Sequence, residues 1–123
     1  MSEMLNKRCL PCEGGIPKLP PERAAQLAKQ HVPSWMLNHE ATRIERVYSF
    51  ADFNAAMAFA NVVGFVAETE GHHPEIEITW GRCTVRYWTH AISGLSENDY
   101  ICAAKIDALF EQTQQPVQAC SIA

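Results

Sequence analysis

The sequence predicts an α+β domain: a four-stranded antiparallel sheet covered on one face by helices, in the order α-β-β-α-β-β-α. Three observations carry that expectation. Residues 51–69 hold a broad apolar stripe at helical spacing. Residues 75–88 alternate with the period of a β-hairpin. Strand pairs are interleaved with helices, the arrangement of an antiparallel sheet with one covered face. The 123 residues suit a single domain, divided into an irregular arm at 1–18, a folded domain at 19–115 and a tail at 116–123.

The arm contains Pro11, Gly14, Gly15 and Pro17, which punctuate regular structure. Leu19-Pro20-Pro21-Glu22-Arg23 opens the first helix, with proline in the first turn where its missing N–H does no harm. Leu19, Ala24, Leu27 and Ala28 form its apolar side, and Val32-Pro33 ends it. Trp35 to Asn38 and Ile44 to Phe50 read as two short strands around a polar turn, with Ile44, Tyr48 and Phe50 on one face. In the 51–69 helix, Phe53, Ala56, Met57, Ala60, Val63, Gly64 and Ala67 follow the 3.6-residue period, and Phe59, Val62 and Val66 widen the stripe. So wide a stripe calls for the sheet on one side and a second partner on the other, hence a homo-oligomer.

In the hairpin, Ile76, Ile78 and Trp80 alternate with Glu75, Glu77 and Thr79, and Cys83, Val85 and Tyr87 alternate with Arg82, Thr84, Arg86 and Trp88. Gly81-Arg82 as a type II′ turn, which wants glycine first, pairs Trp80 with Cys83, Ile78 with Val85 and Ile76 with Tyr87 on one face. The other face then pairs Thr79 with Thr84 and Glu77 with Arg86. Extended, that register sets His73 opposite His90. The last helix follows Gly94-Leu95: Ser96 is its N-cap, Glu97 and Asp99 place carboxylates in the first turn, and Cys102, Ile106, Leu109 and Phe110 line its apolar side. Pro116 marks the tail.

Ten Lys+Arg against fourteen Asp+Glu give a formal charge of −4 with no basic run, which excludes phosphate-backbone binding as the main activity. No apolar run approaches the roughly eighteen residues of a membrane span. Met1-Ser2-Glu3-Met4 lacks the basic and apolar regions of a signal peptide, so a cytoplasmic location is expected. The five cysteines, Cys9, Cys12, Cys83, Cys102 and Cys120, are odd in number and do not read as a disulfide framework. Cys9-Leu10-Pro11-Cys12 raises redox or zinc chemistry. No second CxxC or HxxxH completes a tetrahedral ligand set, and Gly14-Gly15-Ile16-Pro17, not a helix, follows the pair. The pair is read as part of an arm pinned to its own fold or to a neighbouring subunit.

Glu68, Glu70, His72, His73, His90 and Asp99 gather around the hairpin. Histidine gives and takes protons near neutrality, and three of the five histidines lie here. Each residue also has a structural reading: His72 or His73 as a loop residue, His90 as a strand end, Asp99 as a helix cap, Glu68 as a solvated last-turn acid. Adjacent histidines in extended chain point to opposite sides, so His72 and His73 are poorly placed to share an ion, and no metal is expected. Cys83 falls on the core face, and Ser93 and Ser96 lack a base and an orienting group, so nucleophilic catalysis is not expected.

Glu68-Thr69-Glu70-Gly71-His72-His73-Pro74-Glu75, Trp80, Thr89-His90 and Gly94-Leu95-Ser96-Glu97-Asn98-Asp99 together resemble the signature of pterin-4a-carbinolamine dehydratases. Trp35 and the run from Ile44 to Phe53 match as well, so the resemblance covers Leu19 to Phe110. Trp80 stands where many members have tyrosine. The resemblance implies the same α+β fold and the loss of water from 4a-hydroxytetrahydropterin, giving the quinonoid dihydropterin that a reductase recycles after aromatic amino acid hydroxylation. It implies His72, His73 and His90 as catalytic residues with Glu68 and Asp99 in support. It implies no cofactor, the pterin being the substrate, and a dimer or tetramer functionally linked to an aromatic amino acid hydroxylase, with no nucleic acid or membrane partner. The main rival is a non-enzymatic module on the same fold, since animal relatives act as dimerisation cofactors of a homeodomain transcription factor and others as assembly factors; the intact histidine set favours the enzyme. A zinc protein built on Cys9 and Cys12 is the second rival.

Overall fold

Proline cannot donate within a helix and is pre-set for its first turn, and the first helix, α1, spans Pro21–His31 with Ala24, Leu27 and Ala28 buried. In the computed structural model, which describes residues 3–11 and 15–114, there follow β1 (Met36–Leu37), β2 (Ile44–Ser49), α2 (Phe53–Glu70), β3 (Glu75–Thr79), β4 (Arg82–Tyr87) and α3 (Glu97–Thr113). The α-β-β-α-β-β-α order is the one expected, and the four strands form one antiparallel sheet in the order β1-β2-β4-β3. Cys12, Cys120 and the predicted tail at 116–123 lie outside the described residues. Among those residues no helix is long and apolar enough to cross a membrane.

The inner face of the sheet carries Ile44 and Tyr48 from β2 and Cys83, Val85 and Tyr87 from β4, all buried. Phe59, Val63 and Val66 of α2 and Ile101, Cys102 and Ile106 of α3 close over them in one core. Tyr48, Phe59 and Phe110 form an aromatic cluster with centroids 4.8–5.5 Å apart, a spacing at which ring edges and faces attract. Beside it Asp107 of α3 accepts three hydrogen bonds on one oxygen, from Trp35 Nε1 at 3.0 Å, Arg46 Nη1 at 2.7 Å and Tyr48 Oη at 2.6 Å. Burial and this carboxylate together push the Tyr48 phenol well above its ordinary pKa. On α2, Phe53, Met57 and Phe65 stay exposed, so the chain covers only part of the apolar stripe.

The hairpin differs from the expected register by two residues. The observed pairs are Ile76 with Val85, Glu77 with Thr84, Ile78 with Cys83 and Thr79 with Arg82, so the turn is Trp80-Gly81 and glycine takes its second position at φ +72°. The third strand explains the choice. Ser49 pairs with Arg82, and Phe50 N–H donates to the Gly81 carbonyl at 2.8 Å, fixing the turn from the β2 side. A shift of two keeps every residue on its face, so the alternation is retained while the partners change. Trp80 leaves the core face for the exposed turn, and Ile76 is exposed because β3 is an edge strand. Glu77 is no longer opposite Arg86 but still accepts its Nη2–H diagonally at 2.8 Å. The ladder stops at Glu75–Arg86, so His73 is not opposite His90.

The arm begins with a 3₁₀ turn at Glu3–Asn6 that buries Met4, and it is pinned to its own fold. Cys9 N–H donates to Glu70 Oε1 at 2.9 Å, and Leu10 and Asn98 exchange two hydrogen bonds, at 3.0 and 2.7 Å. Cys9 Sγ lies 3.6 Å from Cys102 Sγ, and that contact with burial raises the Cys9 thiol pKa.

Candidate active site

The end of α2 builds the first half of the site. Gly71 terminates the helix in the left-handed region at φ +66°, which glycine adopts without a Cβ clash, and its N–H and that of His72 both bond to the Ala67 carbonyl. The chain then runs extended into β3, so His72 turns inward and His73 outward. His72 is 5% exposed, with its ring stacked on Tyr87 at 5.1 Å and 23°. Tyr87 Oη–H donates to the His72 carbonyl at 3.0 Å. His72 Nε2 donates to Asp99 Oδ1 at 2.6 Å; the ionised carboxylate can only accept, which assigns the proton to Nε2.

The start of α3 builds the second half. Asp99, in the first helical turn, is fully buried and sits where the helix dipole favours a negative charge. Its Oδ2 accepts the Ser96 N–H at 2.9 Å, the backward arm of a capping box, and the Thr89 hydroxyl at 2.9 Å. With Thr89 donating to Asp99, the 2.7 Å contact between the two hydroxyls is a donation from Ser96 to Thr89. A buried carboxylate is tolerable only when its oxygens are satisfied, and here a histidine, a hydroxyl and a backbone N–H satisfy them. Asp99 therefore combines the helix-cap reading and the site reading in one side chain.

His73 and His90 face solvent. His73 Nε2 donates to Glu68 Oε1 at 2.6 Å, with side chains 61% and 80% exposed, one helical turn back along α2. His90 is not a strand end. It opens a 3₁₀ turn at His90–Ile92, whose base is held by Thr89 N–H donating to the Gly94 carbonyl at 2.8 Å. Its ring packs on Trp88 at 4.5 Å and 39°, and the Arg43 guanidinium lies over Trp88 at 4.5 Å.

The predicted site residues thus fall into a buried pair, His72 and Asp99, an exposed pair, His73 and Glu68, and His90 on its own turn; no described contact joins His73 to His90. Glu70, part of the predicted cluster, belongs instead to the arm. Its buried carboxylate accepts Lys105 Nζ at 2.7 Å, Cys9 N–H and Arg8. Burial alone would raise its pKa, but Lys105, Cys9 N–H and Arg8 outweigh it and bring it down to about 2. Thr89, Tyr87, Trp88 and Arg43 were not singled out from sequence as site residues. The parity of Tyr87, which puts it on the core face, and the adjacency of Thr89 to His90 are the signals that could have found those two. Among the described residues no three His, Cys, Asp or Glu side chains converge in a way that could hold a metal ion.

A family model described as pterin 4 alpha carbinolamine dehydratase matches residues 17–109. A protein of Methylococcus capsulatus, provisionally named pterin-4-alpha-carbinolamine dehydratase, is 52% identical over 103 residues, covering 84% of this chain and 90% of that one. A protein of Nitrosomonas eutropha with the same provisional name is 47% identical over 107 residues, 87% of this chain and 93% of that one. Among solved structures, a transcriptional coactivator/pterin dehydratase from Brucella melitensis superposes with a TM-score of 0.69 at 27% identity, covering 76% of this chain and 98% of that one.

Proposed function

The chain belongs to the pterin 4 alpha carbinolamine dehydratase family, and from that premise we propose that it removes water from a 4a-hydroxytetrahydropterin to give the quinonoid dihydropterin. In this reading the C4a–O bond breaks as the hydroxyl takes up a proton and departs as water. N5–H gives up its proton, and the freed electron pair forms the C4a=N5 bond. One group must donate while another accepts, and imidazole can do either near neutrality, each transfer contributing about 10²–10⁴-fold.

His72 and His90 exchange protons with the reacting centre, and His73 mainly holds the pterin ring, with Glu68 steadying His73. Asp99 orients His72 and stabilises its imidazolium form, as a buried carboxylate behind an imidazole does. The observation that carries this reading is the buried 2.6 Å bond from His72 to Asp99, which fixes the orientation of a histidine at one end of the sheet. The pterin is the substrate and no cofactor enters the reaction. The reading extends to a cytoplasmic homo-oligomer, dimer or tetramer, acting on the product of an aromatic amino acid hydroxylase and ahead of a reductase.

The test is the decay of 4a-hydroxytetrahydropterin generated in situ. The wild-type chain accelerates it above the spontaneous rate, His72→Ala and His90→Ala each lower kcat/KM by about 10²-fold, and His73→Ala acts mainly on KM. Near-wild-type rates in both His72→Ala and His90→Ala overturn the roles. Pterin binding with no acceleration in the wild type overturns the enzyme and leaves a binding module.

A further inference from the structure

Trp88 sits where two strand registers run out. The β2–β4 ladder ends with Ile44 opposite Tyr87, so the next positions are Arg43 and Trp88, and the Arg43 guanidinium does lie over the Trp88 ring at 4.5 Å. The β3–β4 register, carried two residues past Glu75–Arg86, reaches His73 and Trp88. One residue further on, the Thr89–Gly94 bridge closes the base of the 3₁₀ turn that carries His90.

The three histidines are held differently: His72 by a carboxylate and the Tyr87 ring together, His73 by a carboxylate, and His90 by a ring alone. His72 and His73 each donate Nε2–H to a carboxylate. Among the described residues the His90 imidazole has no hydrogen bond, and its one ring contact is Trp88 at 4.5 Å and 39°. A carboxylate partner occupies one ring nitrogen, whereas a tilted aromatic contact such as that with Trp88 restrains the ring by packing and leaves both nitrogens for the substrate. Arg43, held over the Trp88 ring by a cation–π contact, limits the freedom of that platform.

We propose that Trp88 is a positioning residue for His90, setting the plane of its imidazole for proton exchange with the pterin, with Arg43 holding Trp88 in place. The proposal rests on the reading that His90 acts in the dehydration.

The experiment pairs NMR of the His90 ring protons with steady-state kinetics on the full chain, for wild type, Trp88→Phe, Trp88→Leu and Arg43→Gln. In the wild type the His90 ring protons are displaced by the indole ring current, relative to the exposed His39. Trp88→Phe retains a displaced signal and keeps kcat within about threefold. Trp88→Leu, which keeps bulk without a ring, brings the signal to the His39 position and lowers kcat at least about tenfold with little change in KM. Arg43→Gln gives an intermediate displacement and an intermediate kcat. A Trp88→Leu chain with wild-type kcat, or with an undisturbed His90 signal, overturns the proposal. Should Trp88→Leu fail to fold, unchanged His90 signal and kcat in folded Arg43→Gln overturn the part assigned to Arg43, and a Trp88→Phe chain that loses the displaced signal overturns the aromatic platform. If the wild type shows no turnover, the dehydratase reading fails while the NMR arm still decides whether Trp88 holds His90.

Discussion

Asp99 accepts the Nε2 proton of His72 at 2.6 Å with both side chains closed to solvent, and the same carboxylate accepts the N–H of Ser96 at the start of α3. The residue that orients the histidine is therefore also the one that starts the last helix. Asp99→Asn keeps the shape and removes the charge. In the proposed dehydration it lowers kcat by about 10²-fold with the fold intact, because an amide neither stabilises an imidazolium nor holds the same proton placement. Asp99→Ala adds a loss of stability of about 2–4 kcal/mol, since His72, Thr89 and Ser96 are left with buried donors and no acceptor. Urea unfolding beside the dehydration assay separates the two effects, and wild-type kcat in a folded Asp99→Asn chain would detach His72 from the chemistry.

Glu70 makes stability depend on acid. Its carboxyl pKa is lowered from an ordinary 4.5 to about 2 by Lys105, Cys9 N–H and Arg8 against the opposing effect of burial. A group depressed on folding contributes stability above its unfolded pKa and loses that contribution as pH falls through the folded one. The contribution, of order 2 kcal/mol at neutral pH, fades between about pH 4.5 and pH 2. Glu70→Gln is accordingly less stable than wild type at pH 7, and the gap closes towards pH 2. Urea midpoints of both chains across that range check it; a gap independent of pH would show that the carboxylate is not the group responsible.

Asp107 is predicted to matter for stability and not for the site. One of its oxygens takes hydrogen bonds from Trp35, Arg46 and Tyr48, and Arg46 also lies over the Tyr48 and Phe110 rings. Asp107→Ala strands a largely buried guanidinium and two further donors, a loss of about 3–5 kcal/mol. Chemical denaturation measures this directly. Under conditions where the variant is folded, its kcat for the dehydration matches wild type, because none of these groups touches His72, His73 or His90.

How far the sequence disclosed this molecule depended on whether a feature was local. The inner faces of β2 and β4 and the long helix followed from periods of 2 and 3.6, since burial of one face is what those periods encode. That His72 and His73 point apart followed from their adjacency, and Asp99 was visible through its place in the first turn after Ser96. The position of His90 is not visible in the alternation, because a 3₁₀ turn closed by the Thr89–Gly94 bridge takes it off the line of β4. Nor was the Asp107 cluster, whose donors come from two segments, Trp35 ahead of β1 and Arg46 and Tyr48 on β2, that meet the carboxylate only once α3 lies on the sheet. The hairpin register sat between these cases: alternation is blind to a slip of two, and only β2, bonding to Gly81 and Arg82, selects the pairing.

That selection makes Gly81 the glycine whose replacement tells most about the hairpin. At φ +72° any side chain is strained, and a Cβ there would stand 3.2 Å from the Phe50 carbonyl oxygen, on the residue whose N–H bonds to Gly81. Gly81→Ala is expected to destabilise the chain by about 1–2 kcal/mol. Gly64, inside α2 with nothing within 4 Å of an added Cβ, is the opposite case: Gly64→Ala removes backbone freedom from the unfolded chain and raises helix propensity, a gain of about 0.5–1 kcal/mol. Urea unfolding of the two variants at one protein concentration should therefore move the midpoint in opposite directions. A Gly81→Ala chain as stable as wild type would mean that the turn does not need the left-handed residue, and with it would go the Trp80-Gly81 turn that sets the register of β3 on β4.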